Sequence, residues 1–272
     1  MMKRVYGLKV VCSLASVLLA LVGVASSAAE QEFVVPLSDP GRPARLEVAL
    51  NQGSLTIEGY DGQQVIVRAG SEAVEAEIEK VDGMYRIPNT ATGLTIEEED
   101  NAVSISTDWS GSGLDLVIQV PRATSLDAQI INGEALVVRG VRGDHELKNV
   151  NGGIDGRGLS GSVVATASNG PVTIELIEID PAKPMSFITW NGDVDVTFPP
   201  TLAATLRLQA GGGEILSDFP VELQPTSAST ETSEGKGYRV SVNREVVGTV
   251  GGGGPDMRFK TFNGDILVRS GG

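Results

Sequence analysis

Apolar and polar positions alternate with a period of two through most of the chain, and the alternation restarts after a recurring turn phrase. Between Gln129 and Phe198 that phrase is Asn132-Gly133, Asn151-Gly152, Asn169-Gly170 and Asn191-Gly192, at steps of 19, 18 and 22 residues. Each turn leads into an alternating segment, such as Val172-Thr173-Ile174 or Val194-Asp195-Val196. A looser copy at Gly212-Gly213 ends in Ile215-Leu216. Two more stand near the ends, Gly53-Ser54-Leu55-Thr56-Ile57 and Asn263-Gly264-Asp265-Ile266-Leu267-Val268. Alternation after a turn signal means a strand with one buried face. Recurrence at about 20 residues means stacked structural repeats.

Two architectures fit this pattern. Asn-Gly between alternating segments is the strongest short signal for a β-hairpin with a type I′ turn, which leads to a hairpin-built β-sandwich. The copies, however, keep one phase: turn, one variable residue, then two or three inward apolar positions. A coil that presents the same corner on every rung explains that phase. The expected fold is therefore all-β, a right-handed parallel β-solenoid (β-helix) of about 20-residue rungs, with the hairpin-built sandwich as the alternative. Asn at the corner is expected in the left-handed conformation, with its side chains hydrogen-bonded up the stack. Ile154, Val172, Val194, Ile215 and Ile266 hold equivalent positions and are expected to form one inward column, with Ile174 and Val196 in a second. Thr173 and Asp195 are expected to face solvent.

Residues 1–29 are expected to be a signal peptide. Lys3, Arg4 and Lys9 precede the apolar run Val10 to Val24, and Ser27-Ala28-Ala29 offers a small-residue cleavage site. Residues 30–272 then form one β-solenoid domain with two interruptions. Residues 72–107 are expected to be a hairpin-rich insertion with Glu97-Glu98-Glu99-Asp100 at one tip. Residues 224–237, rich in Ser, Thr, Glu and Gly, are expected to be a mobile loop. No segment has a persuasive helical period, since even Glu72 to Lys80 alternates like a strand.

Composition agrees, with 34 Gly and few aromatics. Without its first 29 residues the chain carries 18 Lys and Arg against 35 Asp and Glu, a net charge of −17. That acidity argues against nucleic acid and anionic membrane surfaces as partners. The single cysteine, Cys12, lies in the leader, so the mature chain has no disulfide or thiol chemistry. After cleavage nothing remains that would span a membrane.

Candidate chemistry is sparse. The one histidine, His145, lies between Asp144 and Glu146 in a Gly-rich stretch and reads as a solvated turn residue. One His without Cys cannot supply a zinc site. Gly156-Arg157-Gly158-Leu159-Ser160-Gly161 has the letters of a dinucleotide fingerprint, but Ser162 to Thr166 after it reads as a strand rather than the required helix. Glu134, Asp193, Glu214 and Asp265 each follow a turn by the same offset. On adjacent rungs Asp193 and Glu214 would be neighbours, able to bind Ca²⁺ or act as an acid pair. Trp190 and Trp109 stand at strand ends, where an aromatic can stack on a sugar. The ligand-face candidates are thus Glu134, Trp190, Asp193 and Glu214. No catalytic, cofactor or metal residue is assigned, and no cofactor is expected.

Val141-Arg142-Gly143-Asp144, Asn149-Val150-Asn151-Gly152-Gly153, Thr166-Ala167-Ser168-Asn169-Gly170 and the ending Gly251 to Pro255 with Lys260 to Ile266 carry a family resemblance. Over roughly Leu114 to Gly272 the chain resembles the DUF4097-type bacterial β-strand-repeat family, exported proteins labelled as adhesins. The resemblance implies a solenoid-like fold and an envelope or surface location, and it carries no activity. The function expected is a non-enzymatic, exported structural, adhesin-like or binding module, periplasmic or at the cell surface, whose partner is an envelope or extracellular glycan or another protein. The alternative is a carbohydrate-active enzyme, a polysaccharide lyase or hydrolase, on the same scaffold.

Overall fold

A computed structural model describes residues 31–70, 79–81, 84–86, 93–108, 113–225, 228–232, 238–242 and 245–272. The expected leader and Trp109 lie outside them. The fold is all-β. Among the described residues 20 strands join one sheet of mixed orientation that nearly closes on itself.

The interior of this sheet is built from eight two-strand layers. In spatial order they are Ala102–Ser106 with Asp115–Pro121; Ala44–Gln52 with Leu55–Tyr60; Thr124–Asn132 with Ala135–Arg139; and Arg142–Asn149 with the first part of Gly153–Ala167. The second part of Gly153–Ala167 with Val172–Ile179 follows, then Met185–Asn191 with Val194–Phe198, Asp256–Asn263 with Ile266–Ser270, and Ala204–Ala210 with Ile215–Ser217. Every strand in a layer pairs in parallel with its counterpart in the next layer. The first strands form one face and the second strands the other. The 15-residue strand Gly153–Ala167 runs through both faces, bent by register shifts around Leu159.

The segments adjoining an Asn-Gly therefore lie on different faces and none of them pairs antiparallel across the turn, so the type I′ hairpin reading of that phrase is not what forms. Where the flanking strands do pair, at Asn151-Gly152 and Asn169-Gly170, they do so in parallel, through the part of Gly153–Ala167 farther from the turn. The strict coil is broken as well. From residue 124 to 198 the layers follow the sequence, but at each end one layer is inserted out of order. Residues 102–121 lie outside residues 44–60, and residues 256–270 slip between 185–198 and 204–217. Antiparallel strands finish both ends. Gln31–Pro36 and Gln64–Gly70 extend one end, with Thr95–Glu99 beside Ala102–Ser106; Val246–Val250 and Glu222–Leu223 extend the other. Pairing the outer strands this way limits the parallel edge that another chain could extend.

Within 72–107 the described parts form two antiparallel pairs, Glu79–Val81 with Met84–Arg86, and Thr95–Glu99 with Ala102–Ser106 around a turn at Asp100 and Asn101, both at positive φ. Ala102–Ser106 also pairs in parallel with Ala44–Gln52 and so belongs to the stack rather than to an insertion. Glu97 to Glu99 are strand residues, and only Asp100 of that acidic run sits in the turn. Within 224–237, Ala228–Thr232 is a strand paired with Tyr238–Val242.

The core lies between the two faces and consists of in-register columns. On the second face Leu116, Leu55, Leu136, Ile154, Val172, Val194, Ile266 and Ile215 align layer by layer. Beside them run Ile118, Ile57, Val138, Gly156, Ile174, Val196 and Val268. Ile154, Val172, Val194 and Ile266 are buried, while Ile215 at the end of the stack is partly covered. Gly156 leaves a gap in the second column, and the Leu159 and Ile174 side chains close on it. On the first face one column reads Ile105, Val48, Ala128, Leu147, Ala165, Phe187, Phe259 and Leu208. Small residues in mid-stack give way to Phe187 and Phe259, which pack with Phe198 at ring-centroid distances of 5.2–6.1 Å.

His145 corrects the sequence reading. It sits inside strand Arg142–Asn149 with 2% of its surface exposed, between Leu126 and Val163 in register. Asp144 and Glu146 point outward, so the run alternates as a strand and is not a turn.

Candidate functional site

The corner that joins the two faces is where the repeated chemistry gathers. Its inner lining is a stack of glycines: Gly53, Gly133, Gly152, Gly170, Gly192, Gly264 and Gly213. From Gly133 onward, a Cβ on each would collide with the backbone of its predecessor in the stack. The Asn residues beside them are not left-handed, as no Asn of the ladder has positive φ; Gly192 and Gly264 take that role with φ of 149° and 152°. The Asn side chains instead form a continuous ladder. Asn151 Nδ2 donates to Asn132 Oδ1 at 2.7 Å, Asn169 to Asn151 at 3.0 Å, Asn191 to Asn169 at 2.9 Å and Asn263 to Asn191 at 2.7 Å.

A second ladder was missed in the sequence. Thr189 Oγ1 donates to the Gly170 carbonyl at 2.7 Å, and Thr261 Oγ1 to the Gly192 carbonyl at 2.8 Å, each locking a layer to the one before it. The repeated Thr-aromatic-Asn-Gly at residues 189–192 and 261–264 was the available signal. Cutting the Asn ladder in the middle should be measurable. Asn169→Ala removes one donated and one accepted bond, and at a net 0.5–1.5 kcal/mol each for bonds of this kind the expected loss is about 1–2 kcal/mol. Urea denaturation should show a lowered midpoint with an unchanged slope, while Ser168→Ala next to it should leave the midpoint in place.

The carboxylates behind the corner do not form the pair expected. Asp193 and Glu214 are not neighbours, because the inserted layer places Asp265 between them. Asp193 Oδ1 accepts the Asp265 backbone N–H at 2.8 Å, and Asp265 Oδ1 accepts the Glu214 N–H at 2.8 Å. These side chains act as backbone clamps, as Asp115 does for the Ser54 N–H and hydroxyl at 3.1 and 2.6 Å. Glu134 stands three layers from Asp193, separated by the layers of Gly153 and Pro171. Among the described residues no group of three or more His, Cys, Asp and Glu could hold a metal ion.

Among the described residues, the carboxyl groups with displaced pKa values are held low. The Arg122 guanidinium holds Asp61 below the usual range, the Ser38 N–H and hydroxyl hold Glu98 there, and the hydrogen bond from Lys183 does so for Asp144. A general acid at neutral pH needs the opposite displacement. On the outer first face Glu47, Asp127 and Glu146 stand in register, with Arg45 paired to Glu47 at 2.8 Å and to Asp127 at 3.8 Å, and Lys148 paired to Glu146.

Trp190 is the candidate that the structure gives a partner. It lies on the outer first face, 56% exposed, stacked on Phe262, itself 53% exposed; the ring centroids are 5.3 Å apart and the planes 12° from parallel. The pairing of Thr189 with Thr261 and of Asn191 with Asn263 brings the two rings together.

No family model matches the chain, and no curated protein matches it. Among solved structures it is similar to a proposed cell adhesion protein from Clostridium sporogenes, at 10% identity over 90% of this chain and 100% of that one, with a TM-score of 0.48. It is also similar to a proposed adhesin from Bacteroides fragilis, at 10% identity over 90% of this chain and 98% of that one, with a TM-score of 0.28.

Proposed function

We propose that the chain is a non-enzymatic β-solenoid-type module, exported to the bacterial cell envelope, that works as a rigid binding or adhesin-like scaffold. The observation that carries this reading is the corner. Stacked glycines, the Asn ladder and the Thr bonds commit the polar groups there to holding layers in register. Of the candidate carboxylates, Asp193 and Asp265 accept backbone N–H groups of the next layer. A scaffold needs faces kept in fixed geometry, whereas an enzyme needs a cleft with converging, pKa-tuned groups. The chain invests in the first.

The test has two parts. Mass spectrometry of the exported protein is expected to give a mature N-terminus near Glu30; intact Met1 in the membrane fraction would overturn the export step. The purified chain, screened on an array of envelope and extracellular polysaccharides, is expected to retain some of them without shortening them. New reducing ends or unsaturated uronides in the eluate would move the protein to the lyase or hydrolase class.

A further inference from the structure

We propose that Trp190 and Phe262 form a glycan-binding subsite for acidic sugars, with Lys260 and Arg258 meeting the sugar's negative charge. The proposal rests on the reading of the chain as a binding module and names the face and ligand class.

Two large rings left more than half exposed side by side lose the stabilisation that burial would bring, and the corner does not need them. The backbone there is already fixed by Asn191, Asn263, Thr189 and Thr261 on either side of them. The rings stack along the direction in which layers repeat, and both ends of the stack are bare. Beyond Trp190 the next layer offers Ser168, whose carbonyl accepts the Asn191 N–H at 2.9 Å. Beyond Phe262 it offers Gly211, whose N–H bonds the Thr261 carbonyl at 2.9 Å and which has no side chain to cover the ring. The outer face of Phe262 is thus an open aromatic surface at the height of the next layer. The C–H face of a pyranose ring is apolar, flat and of matching shape.

Charge selects among sugars. Arg258 and Lys260 lie on the same outer face as Phe262, in the same strand. At about 3.3 Å per residue, Lys260 sits roughly 6.6 Å along the strand from the ring. Neither has an ion-pair partner among the described residues, whereas Arg207 beside Arg258 is engaged by Asp256 at 3.4 Å and Glu245 at 3.7 Å. The chain as a whole is acidic, but at physiological salt charges beyond about 8 Å are largely screened. Lys260, within that reach, therefore decides at the stacked ring, and a carboxylate or sulfate on a sugar at Phe262 would meet it, with Arg258 further along the strand facing the charge of an adjoining sugar unit.

The test uses the full mature chain with Trp109→Phe, so that Trp190 is the remaining indole. Its fluorescence is titrated with polygalacturonate as the acidic glycan and dextran as the neutral one. Polygalacturonate is expected to change the emission saturably and dextran to leave it unchanged. Phe262→Ala is expected to weaken binding at least tenfold. Lys260→Gln is expected to weaken it several-fold and flatten its salt dependence, a change that a merely structural role would not produce. Both side chains are on the outer face, so the melting curve of each variant should match the parent and show that it folds. Equal response to dextran would overturn the assignment of charge. Unchanged binding in Phe262→Ala would overturn the site and leave the module reading standing. Absence of binding to any glycan on the array would overturn both. Concentration-dependent self-association that Phe262→Ala abolishes would give this face to a second copy of the chain and overturn the proposal.

Discussion

Val194→Asp is expected to unfold the second face around its layer, while Asp195→Ser, one residue on, costs little. Val194 is fully buried in a column between Val172 and Ile266, with matching side chains above and below. Losing its burial costs roughly 1.5–3 kcal/mol, and an unpaired carboxylate at that depth adds several more for desolvation. The sum, about 5 kcal/mol or more, is comparable with the whole stability of many domains. Asp195 points outward and accepts from Arg269 Nε at 2.7 and 3.0 Å. A surface pair of this kind is worth about 0.2–1 kcal/mol, which is what Asp195→Ser should lose. Denaturant melts and hydrogen exchange across 172–198 and 266–270 would resolve the two. Equal damage from both would mean that the strand phase is wrong.

That phase was legible because it is local. Ile154, Val172, Val194 and Ile266 share an offset from their turns, and a period of two fixes which side each faces. The Asn ladder was legible for the same reason, although its conformation was not: the left-handed role passed to Gly192 and Gly264, where no Cβ opposes it. The order of the layers was not legible. Nothing in Asp256–Asn263 says that it will insert between Met185–Asn191 and Ala204–Ala210, because backbone pairing is blind to sequence distance. That one insertion separates Asp193 from Glu214 and brings Phe262 to Trp190. The candidate carboxylate pair was therefore an artefact of assuming sequential layers, and the aromatic pair was invisible for the same cause. His145 was misread for a different reason. Gly143 and the flanking charges suggested a turn, yet Asp144, His145, Glu146, Leu147 and Lys148 alternate out and in as strictly as any strand here.

The buried histidine should make the fold sensitive to mild acid. Burial lowers the His145 pKa from 6.5 to about 4, and the nearby Ser160 and Val141 backbone and the Asp144 charge oppose it only in part. The unfolded chain therefore takes up a proton near pH 6.5 that the folded chain refuses until about pH 4. A group whose uncharged form is the folded one contributes nothing to pH dependence above its unfolded pKa. As pH falls through 6.5 the unfolded state gains, and the loss levels off below about 4. At about 1.4 kcal/mol per pH unit between the two values the loss comes to about 3 kcal/mol. Asp61, Glu98 and Asp144, held low by their partners, lose their contributions as pH falls through the ordinary carboxylate range toward their lowered values, so their acid limb begins only at the lower end of this window. His145→Leu separates the two. Leucine fits a column that already holds Leu126 and Val163, and it brings no group to protonate. The variant should be more stable than the parent at every pH below 6.5, should lose the slope between 6.5 and 4, and should keep the acid limb. A parent whose stability stays level across that window would show that His145 is protonated or hydrated in the folded state, and the packing of this layer would have to be redrawn around a polar group.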